Sequence, residues 1–303
     1  MSLTAGTQAV SLSSGYRRLA DFLELTKPRV SLMVLVTTCV GYYLGADSTP
    51  AVARLIATIA GTALASGGTL ALNQFMERGS DSLMERTRRR PLPDGRIQPT
   101  EALVFGVLVT LAGLSILAVA VNAISALVTA TIAASYLLAY TPLKQRSSLC
   151  GIVGAIPGAL PPVIGWTAAR GEFGLGAWIL FAILFLWQIP HTLAIACLYR
   201  DDFARAGIRF LPVIEPDGAS TGRQSVGYCL ALLAVSLLPT LMGLAGGIYF
   251  LAALLLGGVM LAYSVRLAVA QNLKAARQLL FASLIYLPVL LAVMALNRMP
   301  PSP

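Results

Sequence analysis

Nine stretches of about 20 apolar residues run through this sequence, and that length narrows the possible folds more than any other feature. A segment of this size crosses the hydrocarbon core of a bilayer as an α-helix, with every backbone N–H and C=O paired inside the segment. The stretches fall at roughly 30–46, 52–75, 102–120, 123–141, 151–168, 175–198, 226–246, 247–265 and 278–296. Charged residues make up 12% of the 303 and apolar ones 57%, where soluble domains carry about 25% charged. Mean hydropathy is +0.77. The chain is therefore read as an all-α polytopic membrane protein.

Basic residues orient it. With residue 1 on the cytoplasmic side, 19 of the 22 Lys and Arg fall on that side, leaving Arg54, Arg170 and Arg298 outside. The bias toward the inside predicts an N-in, C-out topology with nine crossings. The net charge of +9 then reflects topology and an anionic ligand, not nucleic acid. Residues 1–24 lack an apolar signal-peptide core and read as a flexible cytoplasmic tail, ahead of a single membrane domain over 25–303. Cys39, Cys150, Cys197 and Cys229 have no paired or metal-type spacing and read as small apolar residues.

Nine of the thirteen acidic residues lie in two cytoplasmic loops, 76–101 and 199–225, while Asp47 and Glu172 are the acids of the outer connections. Because acids contribute little to topology, this crowding needs another cause. The first loop opens within "NQFMERGSDSLMERTRRRPL", in which Asn73, Glu77 and Asp81 are four apart. If the second span continues as a helix through Asp81, the three side chains form one column. Converging oxygen ligands suit Mg²⁺, which completes its shell with water and substrate phosphates. Arg86, Arg88, Arg89 and Arg90 follow, and guanidinium forks suit phosphate oxygens. The plainer alternative is a set of helix-end charges pairing with a stop signal. Against it stands Asn73, which is costly at the end of an apolar run without a partner.

Three further places carry candidates. The second loop opens "YRDDFARAGIRFLPV", where Asp201 and Asp202 adjoin Arg200 and Arg205. Adjacent acids on a helix point about 100° apart, so at most one of them joins a site facing the first column. In "YTPLKQR", Lys144 and Arg146 either extend a phosphate-binding rim or mark topology. The single histidine, His191, lies about 15 Å deeper than Asp201 along a helix. It is a base, a ligand to a metal-bearing cofactor, or a core histidine bonded to a neighbouring helix. Tyr140, Trp166 and Trp187 either line a cavity or anchor helix ends.

With "LTKPRV", "GAIPGALPPVIGWTAARG" and "WQIPH", these stretches make the chain resemble the UbiA-type intramembrane prenyltransferases, and among them the protoheme IX farnesyltransferases (heme o synthases). The resemblance covers nearly everything from Leu25 on. It implies a bundle of nine transmembrane helices around a central cavity open to the cytoplasmic or matrix face. It also implies Mg²⁺-diphosphate binding on Asn73, Glu77 and Asp81, with Arg86, Arg90 and Lys144 as the basic residues. His191 matches the histidine of the heme enzymes, although Thr192 replaces the usual Phe after it. The wider family's second motif is Asp-x3-Asp, against which this chain offers only Asp201-Asp202.

The resulting expectation is farnesyl transfer from farnesyl diphosphate to a vinyl group of heme b, with water addition, in a bacterial inner membrane rather than a mitochondrial one. Its catalytic set is Asn73, Glu77, Asp81, Arg86 and His191. Diphosphate contacts fall to Arg90, Lys144, Arg146, Arg200 and Asp202, and Asp201 joins the metal ligands. The partners implied are membrane lipid and heme a synthase or a terminal oxidase. Rival readings are an aromatic, quinone-type prenyltransferase and a heme carrier without chemistry.

Overall fold

The computed structural model describes residues 4–46 and 51–299, with side chains from residue 15 onward. Asp47 and residues 1–3 of the expected tail lie outside the described residues. The long helices are α1 (Thr4–Leu25), α2 (Pro28–Gly45), α3 (Val52–Leu83), α4 (Pro99–Ala120) and α5 (Ala123–Leu143). They continue with α6 (Cys150–Arg170), α7 (Leu175–Leu198), α8 (Ala219–Leu241), α9 (Gly247–Ala270) and α10 (Leu273–Leu296). Among the described residues β-pairing is limited to one bridge, between Ala245 and Arg298.

Among the described residues eight helices, α3 to α10, are long and apolar enough to cross a membrane. The first of the nine expected spans, 30–46, is α2, which does not join them. It has 18 residues, opens on Pro28 and Arg29, and carries Thr37, Thr38, Tyr42 and Tyr43, which dilute its apolar content. Boundaries of two helices also shift for local reasons. α8 starts and ends earlier than 226–246, because Gly218 (φ 77°) and Gly243 (φ 69°) put left-handed turns beyond its ends. α10 starts at Leu273, where the Asn272 side chain accepts the Ala275 N–H at 2.9 Å and caps the helix.

The segment expected as a flexible tail contains α1, and its last turns are seated. Phe22 and Leu25 pack with Ile97, Ala102 and Phe105, Arg18 pairs with Glu101, and Asp21 pairs with Arg96. An apolar pair one turn apart, reinforced by two ion pairs, gives this stretch a partner that its composition alone does not reveal.

Small residues bring the spans together, as in membrane bundles where close backbone packing stands in for the hydrophobic effect. A Cβ on Gly113 of α4 would run into the backbone of Ala65 in α3. One on Gly165 of α6 would strike the carbonyl of Thr38 in α2, whose hydroxyl also donates to the Pro161 carbonyl at 3.1 Å. In the second half of the bundle, the Tyr249 hydroxyl donates to the Ser236 carbonyl at 2.8 Å. The Ser236 and Tyr286 hydroxyls lie 2.6 Å apart, so these buried polar groups satisfy one another.

Candidate active site

α3 runs past residue 75 to Leu83, and this extension stacks Asn73, Glu77 and Asp81 on one face. Asn73 and Asp81 are buried, at 0% and 1% exposure. Each member of the column meets a cation. Lys27 Nζ donates to Asn73 Oδ1 at 2.9 Å, Lys144 Nζ to Glu77 Oε1 at 2.6 Å, and Arg90 Nη1 to Asp81 Oδ2 at 2.7 Å.

Local structure sets these contacts. The end of α5 is a π-helix over Ser135–Tyr140, just ahead of Pro142, which has no N–H to continue the regular ladder. The Thr141 hydroxyl donates to the Tyr136 carbonyl at 2.8 Å and accepts from Asn73 Nδ2 at 3.0 Å. The Asn73 amide is thereby fixed with its oxygen toward Lys27. The same turn carries Lys144, whose ammonium sits 4.4 Å from the centre of the Tyr140 ring. Lys27 occupies a left-handed position (φ 47°) between α1 and α2. Burial pushes its ammonium down to about 7, Arg90 and Lys144 push the same way, and Glu77 and Asp81 oppose them.

The loop after α3 sorts the arginine run. Thr87 is buried, and its hydroxyl donates to the Asp81 carbonyl at 2.8 Å, folding the loop back on the column. Arg90 turns inward to Asp81, while Arg88 and Arg89 are exposed. Arg86 lies over the rings of Tyr199 (5.5 Å) and Phe203 (4.9 Å), within the field of both Asp81 and Asp202.

The second loop supplies one acid. Asp202, 9% exposed, accepts the Glu85 N–H at 3.3 Å and pairs with Arg205, which brings it to the rim of the first loop. Asp201 points away, as adjacent positions on a helix must. Its side chain is exposed, and its carboxylate lies 3.7 Å from Arg200 Nε. The structure thus does not bring Asp201 or Arg200 to the column. Arg146 is also exposed, on the turn beyond Lys144.

Beneath the column lies a cavity of about 240 Å³, lined by Thr69, Leu70, Tyr136, Tyr140, Gln188 and Thr192 among others, with Thr62 and Ile164 farther from the column. His191 is not on this wall. Its Nδ1 is 2.8 Å from Ser283 Oγ of α10, and its ring stacks on Trp187 at 4.7 Å. Trp187 Nε1 donates to the Ser283 carbonyl at 2.8 Å. Residues 188 and 192 form the cavity face of α7, and residues 187 and 191 the face toward α10. Trp166 is buried in the core, under the Arg170 guanidinium. Of Tyr140, Trp166 and Trp187, Tyr140 lines the cavity and the two tryptophans pack elsewhere in the bundle.

The column offers one amide oxygen and two carboxylates, a hard all-oxygen set that suits Mg²⁺ and not a soft metal. Among the described residues no group of three or more His, Cys, Asp and Glu assembles, so a cation here relies on Asn73 and on oxygens from a ligand. Arg86, Arg90, Lys144 and a partly charged Lys27 face Glu77 and Asp81, so a divalent cation held here leaves a positive excess that an anionic ligand balances. Sequence reasoning missed Lys27 and Thr141. A lysine just before the proline that opens a span is a weak signal, and Thr141 acts through the π-helical turn, which leaves no periodicity to read.

Residues 34–285 match the model of the UbiA prenyltransferase family. The protoheme IX farnesyltransferase of Solibacter usitatus is 47% identical over 287 residues, covering 92% of this chain and 98% of that protein. That of Koribacter versatilis is 46% identical over 290 residues, covering 92% and 94%. Among solved structures, a digeranylgeranylglyceryl phosphate synthase superposes with a TM-score of 0.79 at 15% identity, over 93% of this chain and 98% of that one. A UbiA homolog from Archaeoglobus fulgidus bound to GPP and Mg²⁺ gives 0.63 at 16% identity, over 90% and 99%. Long apolar helices and these matches make the chain an integral membrane protein. It belongs to the UbiA prenyltransferase family, and groups within it with the protoheme IX farnesyltransferases.

Proposed function

We propose that this chain transfers the farnesyl group of farnesyl diphosphate to a vinyl group of heme b, with addition of water, giving heme o and diphosphate. The observation that carries the reading is the column of Asn73, Glu77 and Asp81, each member met by its own cation, above an apolar cavity. Asn73, Glu77 and Asp81 would hold Mg²⁺, as the donor set and the Mg²⁺-bound Archaeoglobus homolog suggest. When bound, that ion supplies positive charge to the diphosphate as it departs.

The chain's own residues do the rest. Lys27, Lys144, Arg86 and Arg90 bind the diphosphate and oppose the negative charge that builds on it as the C–O bond breaks. The cavity beneath receives the farnesyl tail and keeps bulk water from the allylic carbon while it carries positive charge. The heme vinyl group attacks that carbon, and water then adds to the new cation. Asp202 supports the rim through Glu85 and Arg205. His191 is assigned to the acceptor side as the counterpart of the heme enzymes' histidine, with Nδ1 held by Ser283 of α10.

In this reading the column, the arginine loop and Asp202 face the cytoplasm of a bacterial inner membrane in an N-in, C-out arrangement with α2 as the ninth crossing. The product passes to heme a synthase or a terminal oxidase. The test is mass analysis of porphyrins after incubating the purified protein with heme b, farnesyl diphosphate and Mg²⁺. Heme o is expected. Prenylation of an aromatic ring with heme b untouched would indicate a quinone-type enzyme, and heme binding without diphosphate release would indicate a carrier.

A further inference from the structure

Arg200 and Asp201 belong to the motif that drew attention in the sequence, yet the column does not use them. They reappear on the wall of a second cavity, of about 370 Å³. It lies where four helices end: Leu198 closes α7, Thr221 is in the first turn of α8, Leu267 is in the last turn of α9, and Leu273 opens α10. Asp202, next in the chain to Asp201, puts this cavity on the same side of the bundle as the active site.

Its polar groups are held loosely. Arg200 Nε and Asp201 Oδ1 form an ion pair at 3.7 Å, beyond hydrogen-bond length, and both side chains are open to solvent. Glu215 is half-buried, and among the described residues its carboxylate has no hydrogen-bond or ion-pair partner. Thr221 is 1% exposed, and its hydroxyl has no hydrogen-bond partner among the described residues. Buried hydroxyls normally find one. A wall that leaves this one bare is complementary to a ligand that supplies a donor.

We propose that this cavity binds the headgroup of a membrane phospholipid that carries both a phosphate and a primary ammonium. The ammonium has three N–H donors, which match the carboxylates of Glu215 and Asp201 and the oxygen of Thr221. The Arg200 fork takes the phosphate. Two acids against one base disfavour a purely anionic headgroup. A quaternary ammonium has no N–H to give Glu215 and Thr221, so the site separates ethanolamine from choline lipids. Leu198, Leu267 and Leu273 supply an apolar border for the acyl chains, and ends of membrane-spanning helices lie at headgroup depth. Nothing in this proposal depends on the transferase reading.

The test is native mass spectrometry of the full-length protein in detergent with an equimolar mixture of phosphatidylethanolamine, phosphatidylcholine and phosphatidylglycerol of identical acyl chains. The wild type retains ethanolamine lipid over choline lipid by about tenfold, because a site built around N–H donors rejects an analogue that lacks them. Glu215→Gln and Thr221→Val each bring that ratio close to unity while choline-lipid binding stays unchanged, which controls for folding within each variant. Equal retention of the three lipids by the wild type overturns the proposal, as does a preference that survives in both variants. If glycerophosphoethanolamine without acyl chains displaces the lipid at equal concentration, the site serves a soluble zwitterion and the lipid assignment falls.

Discussion

Lys144 Nζ lies 2.6 Å from Glu77 Oε1, joining residues 67 positions apart, one on α3 and one just past the π-helical end of α5. A structural ion pair and a substrate site behave differently when both partners are removed. In a structural pair, loss of one leaves the other charge uncompensated, and removing both recovers much of the damage. If Glu77 serves a cation and Lys144 a diphosphate, no recovery occurs. Glu77→Gln and Lys144→Met should each lower kcat/KM by about 10²-fold or more, and the double variant should be no better than the worse single. Steady-state kinetics on the three proteins checks this.

Arg90 should show the geometry of its fork. It binds Asp81 through Nη1 and stands where a diphosphate would arrive. Arg90→Lys keeps the charge but loses bidentate geometry. A rise in KM for the prenyl diphosphate of about tenfold is expected for Arg90→Lys, and more for Arg90→Ala. Arg88→Ala and Arg89→Ala, at exposed positions two and one residues away, should stay within about twofold of wild type.

The two adjacent acids of the second loop should part company. Asp202 is buried at the rim and Asp201 faces the other cavity. Asp202→Asn should reduce turnover by about tenfold or more, by loosening Glu85 and Arg205, whereas Asp201→Asn leaves turnover within about twofold. The reverse order would mean that the second loop is read in the wrong register.

Thr62 should limit the length of the prenyl chain. Eleven residues separate it from Asn73 along α3, about 16 Å at the helical rise and close to three isoprene units. At a similar depth Thr38 packs closely against Pro161 and Gly165 across the bundle. Thr62→Leu fills the far end, so kcat/KM for geranyl diphosphate relative to farnesyl diphosphate should rise by about tenfold. Competition between the two diphosphates measures that ratio directly.

Much of this was open to sequence reading because it followed from periodicity and length. Asn73, Glu77 and Asp81 share a face because four residues advance a helix only about 40° beyond one full turn, and α3 does continue through them. Apolar length located eight of the nine expected spans, α2 not being among the helices long and apolar enough to cross. The starts of α8 and α10 shift where glycine and asparagine set them. What stayed hidden lay across the fold. Lys27 reaches Asn73 from 46 residues away, and no local pattern marks it. The direction of His191 depends on where Ser283 of α10 sits. Arg88 and Arg89 look identical to Arg90 in sequence, and only the turn held by Thr87 separates them.

The most direct test of the central claim, that the α3 column holds a divalent cation against a diphosphate, uses Mn²⁺ in place of Mg²⁺ and a non-reacting thiolodiphosphate analogue of farnesyl diphosphate. Electron paramagnetic resonance of the purified protein then reads the bound metal. Tight Mn²⁺ binding that requires the analogue, and that is lost in Glu77→Gln and Asp81→Asn, is the predicted result. Analogue binding that is equally tight without metal, or Mn²⁺ binding indifferent to both substitutions, would contradict it.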